Sequence, residues 1–129
     1  MSRRVERLSR GALQRILSGK FKDEQKPLFF VIKFYSNGCH YCHELHDDYV
    51  NMANKHDDAS FFAFNIDDDP SIQNILDFKG VPTICTVYVD TRKPRIRFIP
   101  EPSTPHKKKW YYARDIDSFI NKEKMRNER

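Results

Sequence analysis

The chain has 129 residues, enough for one domain with its own core and without a metal or disulfide staple. Its net charge of +5 is segregated: residues 1–26 carry eight basic and three acidic side chains, residues 27–90 three and ten, and residues 91–129 twelve and five. It has no membrane-spanning apolar run, no internal repeat, no low-complexity tract, and no apolar stretch behind the charged start MSRRVERLSRG of the kind a secretory signal needs, so a soluble cytoplasmic protein is expected.

Val5, Leu8, Ala12, Ile16 and their neighbours Leu13 and Leu17 recur at helical spacing among Arg3, Arg4, Arg7, Arg10 and Arg15. This predicts a basic amphipathic helix in residues 1–26, ending near Gly19. Pro27 precedes Leu28–Phe34, an aromatic and β-branched run that reads as a buried strand. Ser36-Asn37-Gly38 is a turn signal, and a helix is expected from Cys39 towards Lys55. Phe61–Ile66 reads as a second buried strand. A helix capped by Asp69 or Ser71 follows, running to about Phe78 and stopped by Lys79-Gly80. Thr83–Val89 and Arg95–Ile99 are further strands around a hairpin turn at residues 90–94. A Pro-rich linker (100–105) and a basic run (107–109) lead to a closing helix opened by Asp115, with Ile116, Phe119 and Ile120 on its apolar stripe. The order αβαβαββα describes an α/β domain over residues 27–122, a mixed sheet with helices on both faces, followed by a charged tail at 123–129.

Three cysteines cannot all pair within one chain, and two of them stand as C-x-x-C at Cys39 and Cys42. In a reducing compartment that spacing points to redox or metal chemistry rather than a structural staple. The segment Val31–Cys42, VIKFYSNGCHYC, resembles the active-site strand and turn of thioredoxins and protein disulfide isomerases. Phe64–Pro70 is similar to the family's second central strand and its following loop. Gly80-Val81-Pro82-Thr83 resembles its cis-proline loop, and Trp110–Ile120 the isomerase-type last strand and helix. The likeness covers roughly residues 28–122. It implies a thioredoxin-like fold and thiol-disulfide exchange with no bound cofactor. In that chemistry Cys39 is the nucleophile at a helix start, Cys42 the resolver one turn on, and Val81 and Pro82 the substrate-binding loop.

The sequence departs from the family in three places. Gly38 stands where a Trp precedes the first cysteine, and His40-Tyr41 replaces the usual dipeptide; a protonated His40 would favour the Cys39 thiolate. Lys33 occupies the place of a buried acid. Either it tunes the pair, as a proton acceptor when neutral or an attractive charge when protonated, or it only snorkels out of the strand. Cys39-His40-Tyr41-Cys42-His43 also fits a haem-attachment pattern, and Cys39, Cys42, His43 and His46 could share a helical face around zinc. Neither reading accounts for the Val81-Pro82-Thr83 loop. Cys85 falls in a central strand and reads as a small buried hydrophobe. Lys107–Lys109 beside Trp110 reads as a solvated loop, not a nucleic-acid patch.

The expected partners are therefore protein disulfides and a reducing or oxidising protein, with an acidic protein a candidate for the basic ends. No membrane partner is expected. The alternative is a thioredoxin-fold structural or interaction subunit of a larger assembly, such as a viral or phage particle, whose cysteine pair is not catalytic.

Overall fold

The computed structural model describes residues 5–103 and 106–128. Five strands, β1 (Glu6–Arg7), β2 (Leu28–Tyr35), β3 (Ser60–Asn65), β4 (Thr83–Val89) and β5 (Arg95–Phe98), form one mixed sheet in the order β1-β3-β2-β4-β5. β1 and β2 flank β3 in parallel, while β4 runs antiparallel to both β2 and β5. The helices are α1 (Arg10–Ser18), α2 (His40–Lys55), α3 (Ile72–Leu76) and α4 (Ala113–Asn127). No described helix is long and apolar enough to cross a membrane.

Alternation along β2 sorts its side chains between two cores. Phe30, Ile32 and Phe34 join Leu13 and Ile16 of α1 and Ile72 of α3 on one face. Val31 joins Leu45 and Tyr49 of α2 and Ile116 and Ile120 of α4 on the other. Lys33 shares the parity of Val31 and so lies on the α2 face. Tyr49 is fully buried, and its hydroxyl donates to the Phe62 carbonyl at 2.7 Å with that of Val31 at 3.1 Å, which pins α2 across β2 and β3. Cys85, in the middle of β4, is a free thiol with no exposed surface, and burial pushes its pKa well up.

Several element boundaries differ from the sequence expectation. The helix read from Val5 begins only at Arg10, because Ser9 caps it by accepting from the Ala12 N–H at 3.1 Å. Glu6 and Arg7 instead pair with Phe62 and Ala63. Two residues of strand carry no readable period, and a neighbouring edge overrides the local helical pattern. Arg3 and Arg4 lie outside the described residues. The described part of the N-terminal segment is thus built into the sheet and core, with Leu8 and Leu13 buried.

α3 stops at Leu76, not Phe78. Asp77 turns left-handed (φ 58°), and Phe78 leaves the helix to place its ring against Phe34 and Phe98, at 5.0 and 5.8 Å. Neither Asp69 nor Ser71 caps α3 with its side chain; the Ser71 hydroxyl donates to Asp69 instead. Trp110–Tyr112 forms no strand: Trp110 packs on Tyr41 of α2, and Tyr111 is buried in the core between the sheet, α2 and α4. α4 opens at Ala113, with Asp115 accepting from the Tyr112 N–H, and runs through to Asn127. Residues 123–127 are therefore helix rather than tail, and Glu123 is buried between Arg97 and Arg126.

Candidate active site

β2, the central strand, ends at Tyr35, Ser36–Gly38 turns the chain, and Cys39 becomes the N-cap of α2. The first N–H groups of a helix have no intrahelical partner and carry its positive partial charge. The Cys39 sulfur occupies that place and accepts from the Cys42 N–H at 3.1 Å. One turn on, Cys42 is only 3% exposed, while Cys39 is half-buried. The two sulfurs are joined as a disulfide with Cα atoms 5.2 Å apart. One sulfur thus faces outward at a site that stabilises a thiolate, and a shielded one stands within bonding reach of it. That arrangement can exchange a disulfide with another molecule.

The turn before Cys39 is held by side chains whose role the sequence did not announce. Asn37 donates its N–H to Asp67, and its side chain accepts from Asn65 at 2.9 Å. The His43 ring donates to the Asn37 carbonyl at 3.0 Å. Their separation in sequence, 28 and 30 residues for Asn65 and Asp67, is what hid them.

The Val81–Pro82 peptide is cis, and Pro82 is buried. Both residues line a groove of about 590 Å³ together with Lys79, Phe98, Glu101 and Trp110. Trp110 also packs on Tyr41, ring centroids 5.5 Å apart, and the Tyr41 hydroxyl donates to the His106 carbonyl at 3.1 Å. Tyr41 thus ties the start of α2 to the 106–110 segment. His40 is exposed, its ring 5.9 Å from that of Tyr41.

A family model described as Thioredoxin matches residues 16–98, which is most of the chain and includes both cysteines and the proline loop. The chain belongs to the thioredoxin family. A comparison with curated proteins finds no match. Among solved structures the fold is similar to chloroplastic thioredoxin z, at 19% identity and TM-score 0.66, covering 95% of this chain and 96% of that one. It is also similar to the thioredoxin of Malassezia sympodialis (14%, 0.65, 95% and 93%) and that of Trichomonas vaginalis (15%, 0.63, 92% and 96%). These likenesses are of fold. Family membership together with the bonded Cys39–Cys42 pair makes the protein a thiol-disulfide oxidoreductase, one that acts on protein disulfides with a reductant partner. The alternative of a subunit with an idle cysteine pair gains no better support, and the N-terminal segment it would use for docking is part of the thioredoxin sheet.

Lys33 departs from the thioredoxin pattern, and its side chain is buried. It does not snorkel out: it is 5% exposed, with Nζ 5.2 Å from the ring centre of Tyr49 in α2 and 5.6 Å from that of Tyr35. Burial alone lowers its pKa from 10.5 to about 8, since taking an ammonium out of water disfavours its charged form. The faces of the two tyrosines supply partial compensation for the charge.

Proposed function

We propose that the protein reduces disulfides in other proteins, with Cys39 as nucleophile and Cys42 as resolver. The observation that carries this is the unequal exposure of two bonded cysteines at the start of one helix. The Cys39 thiolate attacks one sulfur of the substrate disulfide. A mixed disulfide forms as the substrate S–S bond breaks, and the first substrate thiolate leaves. Cys42 then loses its proton and attacks the Cys39 sulfur, releasing the second substrate thiolate and closing the Cys39–Cys42 bond. Two electrons pass to the substrate, and the reductant partner restores them.

Val81 and Pro82 present the edge of the groove to the substrate chain. Lys33 tunes the pair from beneath α2: charged, it favours thiolate; neutral, it accepts a proton. His40, exposed beside the pair, favours the thiolate when protonated.

An acidic protein is the partner that best suits the charge pattern. Arg114, Lys122 and Arg126 follow one ridge of α4, facing Arg97 of β5 across a groove of about 630 Å³. Glu101, Asp115 and Glu123 line the same groove, so its four cationic side chains exceed its carboxylates by one charge. A reducing compartment such as the cytoplasm accords with the unpaired Cys85.

The test is trapping in a lysate beside insulin reduction. Cys42→Ser should accumulate mixed disulfides, Cys39→Ser should not, and capture should weaken with salt if acidic partners dominate. Wild type inert towards insulin, together with no trapped partner in either variant, overturns the proposal.

A further inference from the structure

We propose that Asp67 and Asn65 are positioning residues for the reaction, acting on Cys39 through Asn37. The inference rests on Cys39 being the attacking sulfur.

The three residues that deliver Cys39 have little packing of their own. A Cβ placed on Gly38 would meet nothing within 4 Å, and Asn37 and Gly38 are both exposed. A turn of this kind is ordinarily mobile, since neither buried area nor a regular ladder fixes it. Here its middle residue is fixed at three atoms. The Asn37 N–H donates to the Asp67 carboxylate at 3.3 Å, the Asn37 side-chain oxygen accepts from the Asn65 amide, and its carbonyl accepts from His43. The turn closes with the Cys39 N–H donating to the Ser36 carbonyl at 3.3 Å.

The anchors are themselves anchored. Asn65 is the last residue of β3, 2% exposed, and its side-chain oxygen accepts from the Asp67 N–H at 2.9 Å. Asn65 therefore spends one end of its amide on shaping the following turn and the other on Asn37. On the far side of that turn, Asp68 pairs with Arg7 at 2.7 Å and Asp69 with Arg10 at 3.4 Å. The end of β3 and the turn after it form a fixed shelf beneath the redox loop, braced by the segment that carries β1 and α1.

The consequence for the reaction is geometric. Thiolate stabilisation at a helix N-terminus falls off within a turn, so it depends on where the sulfur stands relative to the first N–H groups. With Asn37 released, Ser36–Gly38 samples other conformations, and the Cys39 sulfur spends less time against the Cys42 N–H. The thiolate becomes less favoured and attack slows, without the core being touched.

The experiment compares Asp67→Ala with Asp67→Asn. Both remove the same negative charge, so long-range electrostatics cancel between them. Only Asn retains an oxygen that can accept from the Asn37 N–H. The readout is the pH profile of Cys39 alkylation by iodoacetamide, mapped by mass and accompanied by thermal melts. Asp67→Ala should titrate about half a pH unit or more above Asp67→Asn and react roughly threefold more slowly near neutrality. Asn37→Ala, a change at an exposed position that does not threaten folding, should shift the same way. Coincident profiles for Asp67→Ala and Asp67→Asn, or differences confined to melting temperature, overturn the proposal. Should Cys39 not be the fast-reacting thiol in wild type, the underlying reading falls, and this failure is seen before any variant is compared.

Discussion

At one end of α2 Cys39 and Cys42 stand at the start of the helix, half-exposed and shielded respectively, with the helix's free N–H groups aimed at a sulfur. At the other end His56 is buried at 3% exposure, its ring stacked on Phe61. Its Nδ1 accepts from Lys124 at 2.6 Å and its Nε2 donates to Asp117 at 2.7 Å. Lys55 completes the Asp117 contact at 2.9 Å, and Asp58 takes Lys124 at 2.7 Å. The Lys55 ammonium, more than any other group, holds the Asp117 carboxyl below its usual range. One end of the helix keeps polar groups available to an incoming sulfur, whereas the other uses its polar groups to fasten α2 to α4. Reactivity and anchorage are thus separated by the length of one helix.

Cys39→Ser tests the reactive end and should have the largest effect: insulin reduction falls by about a thousandfold or more, while the melting temperature of the reduced protein barely moves. His56→Ala tests the anchoring end with the opposite outcome. It removes a buried ring and its hydrogen bonds to Asp117 and Lys124, so chemical denaturation should show a loss of about 3 kcal/mol. The rate of disulfide exchange per folded molecule should be unchanged. A His56 variant that loses activity before it loses fold would break the division.

Lys33 lies between the two ends, and its substitution sharpens the comparison. Its folded-state pKa, about 8, lies below the unfolded value. Below pH 8 both states hold the proton, and folding carries the full cost of burying an ammonium. Between pH 8 and 10.5 only the unfolded state holds it, and the cost fades as pH rises. Lys33→Met should therefore stabilise the protein by up to about 3 kcal/mol at pH 7, with the gain vanishing above pH 10.5. The Cys39 thiolate should titrate higher in the same variant. A stability gain that does not depend on pH would mean that packing, not charge, is responsible. The smallest effect is expected from Lys55→Ala. More than half of its side chain is exposed, so the loss should be under about 1 kcal/mol and shrink with salt.

Much of the site was legible because its parts are local. Cys39 and Cys42 are one helical turn apart, the strand before them is a continuous apolar run, and Val81-Pro82-Thr83 is a contiguous signal. β2, α2 and β4 fall where periodicity and turn residues place them for the same reason. Features made by distant partners were not legible. Glu6 and Arg7 become strand only because β3 offers an edge. Asp77 ends α3 early because Phe78 has aromatic partners in two strands. The Asn37 clamp joins residues about thirty positions apart, and Asn65 read only as part of the second buried strand and Asp67 as part of the loop after it. The burial of Lys33 could be posed as a question from its place in β2, but only the packing of α2 over it supplied the answer.

Cys85 gives the protein a built-in clock. Its sulfur has no exposed surface, and burial disfavours its thiolate, so no reagent in solution reaches it while β4 is covered on both faces. In the reduced protein Cys39 answers a native titration first and the shielded Cys42 more slowly, whereas Cys85 answers only when the central sheet opens. Labelling of Cys85 under dilute, native conditions therefore reports openings of the central sheet, as an opening rate where labelling outpaces reclosing and as an opening equilibrium where reclosing is faster, with no dye, tag or denaturant.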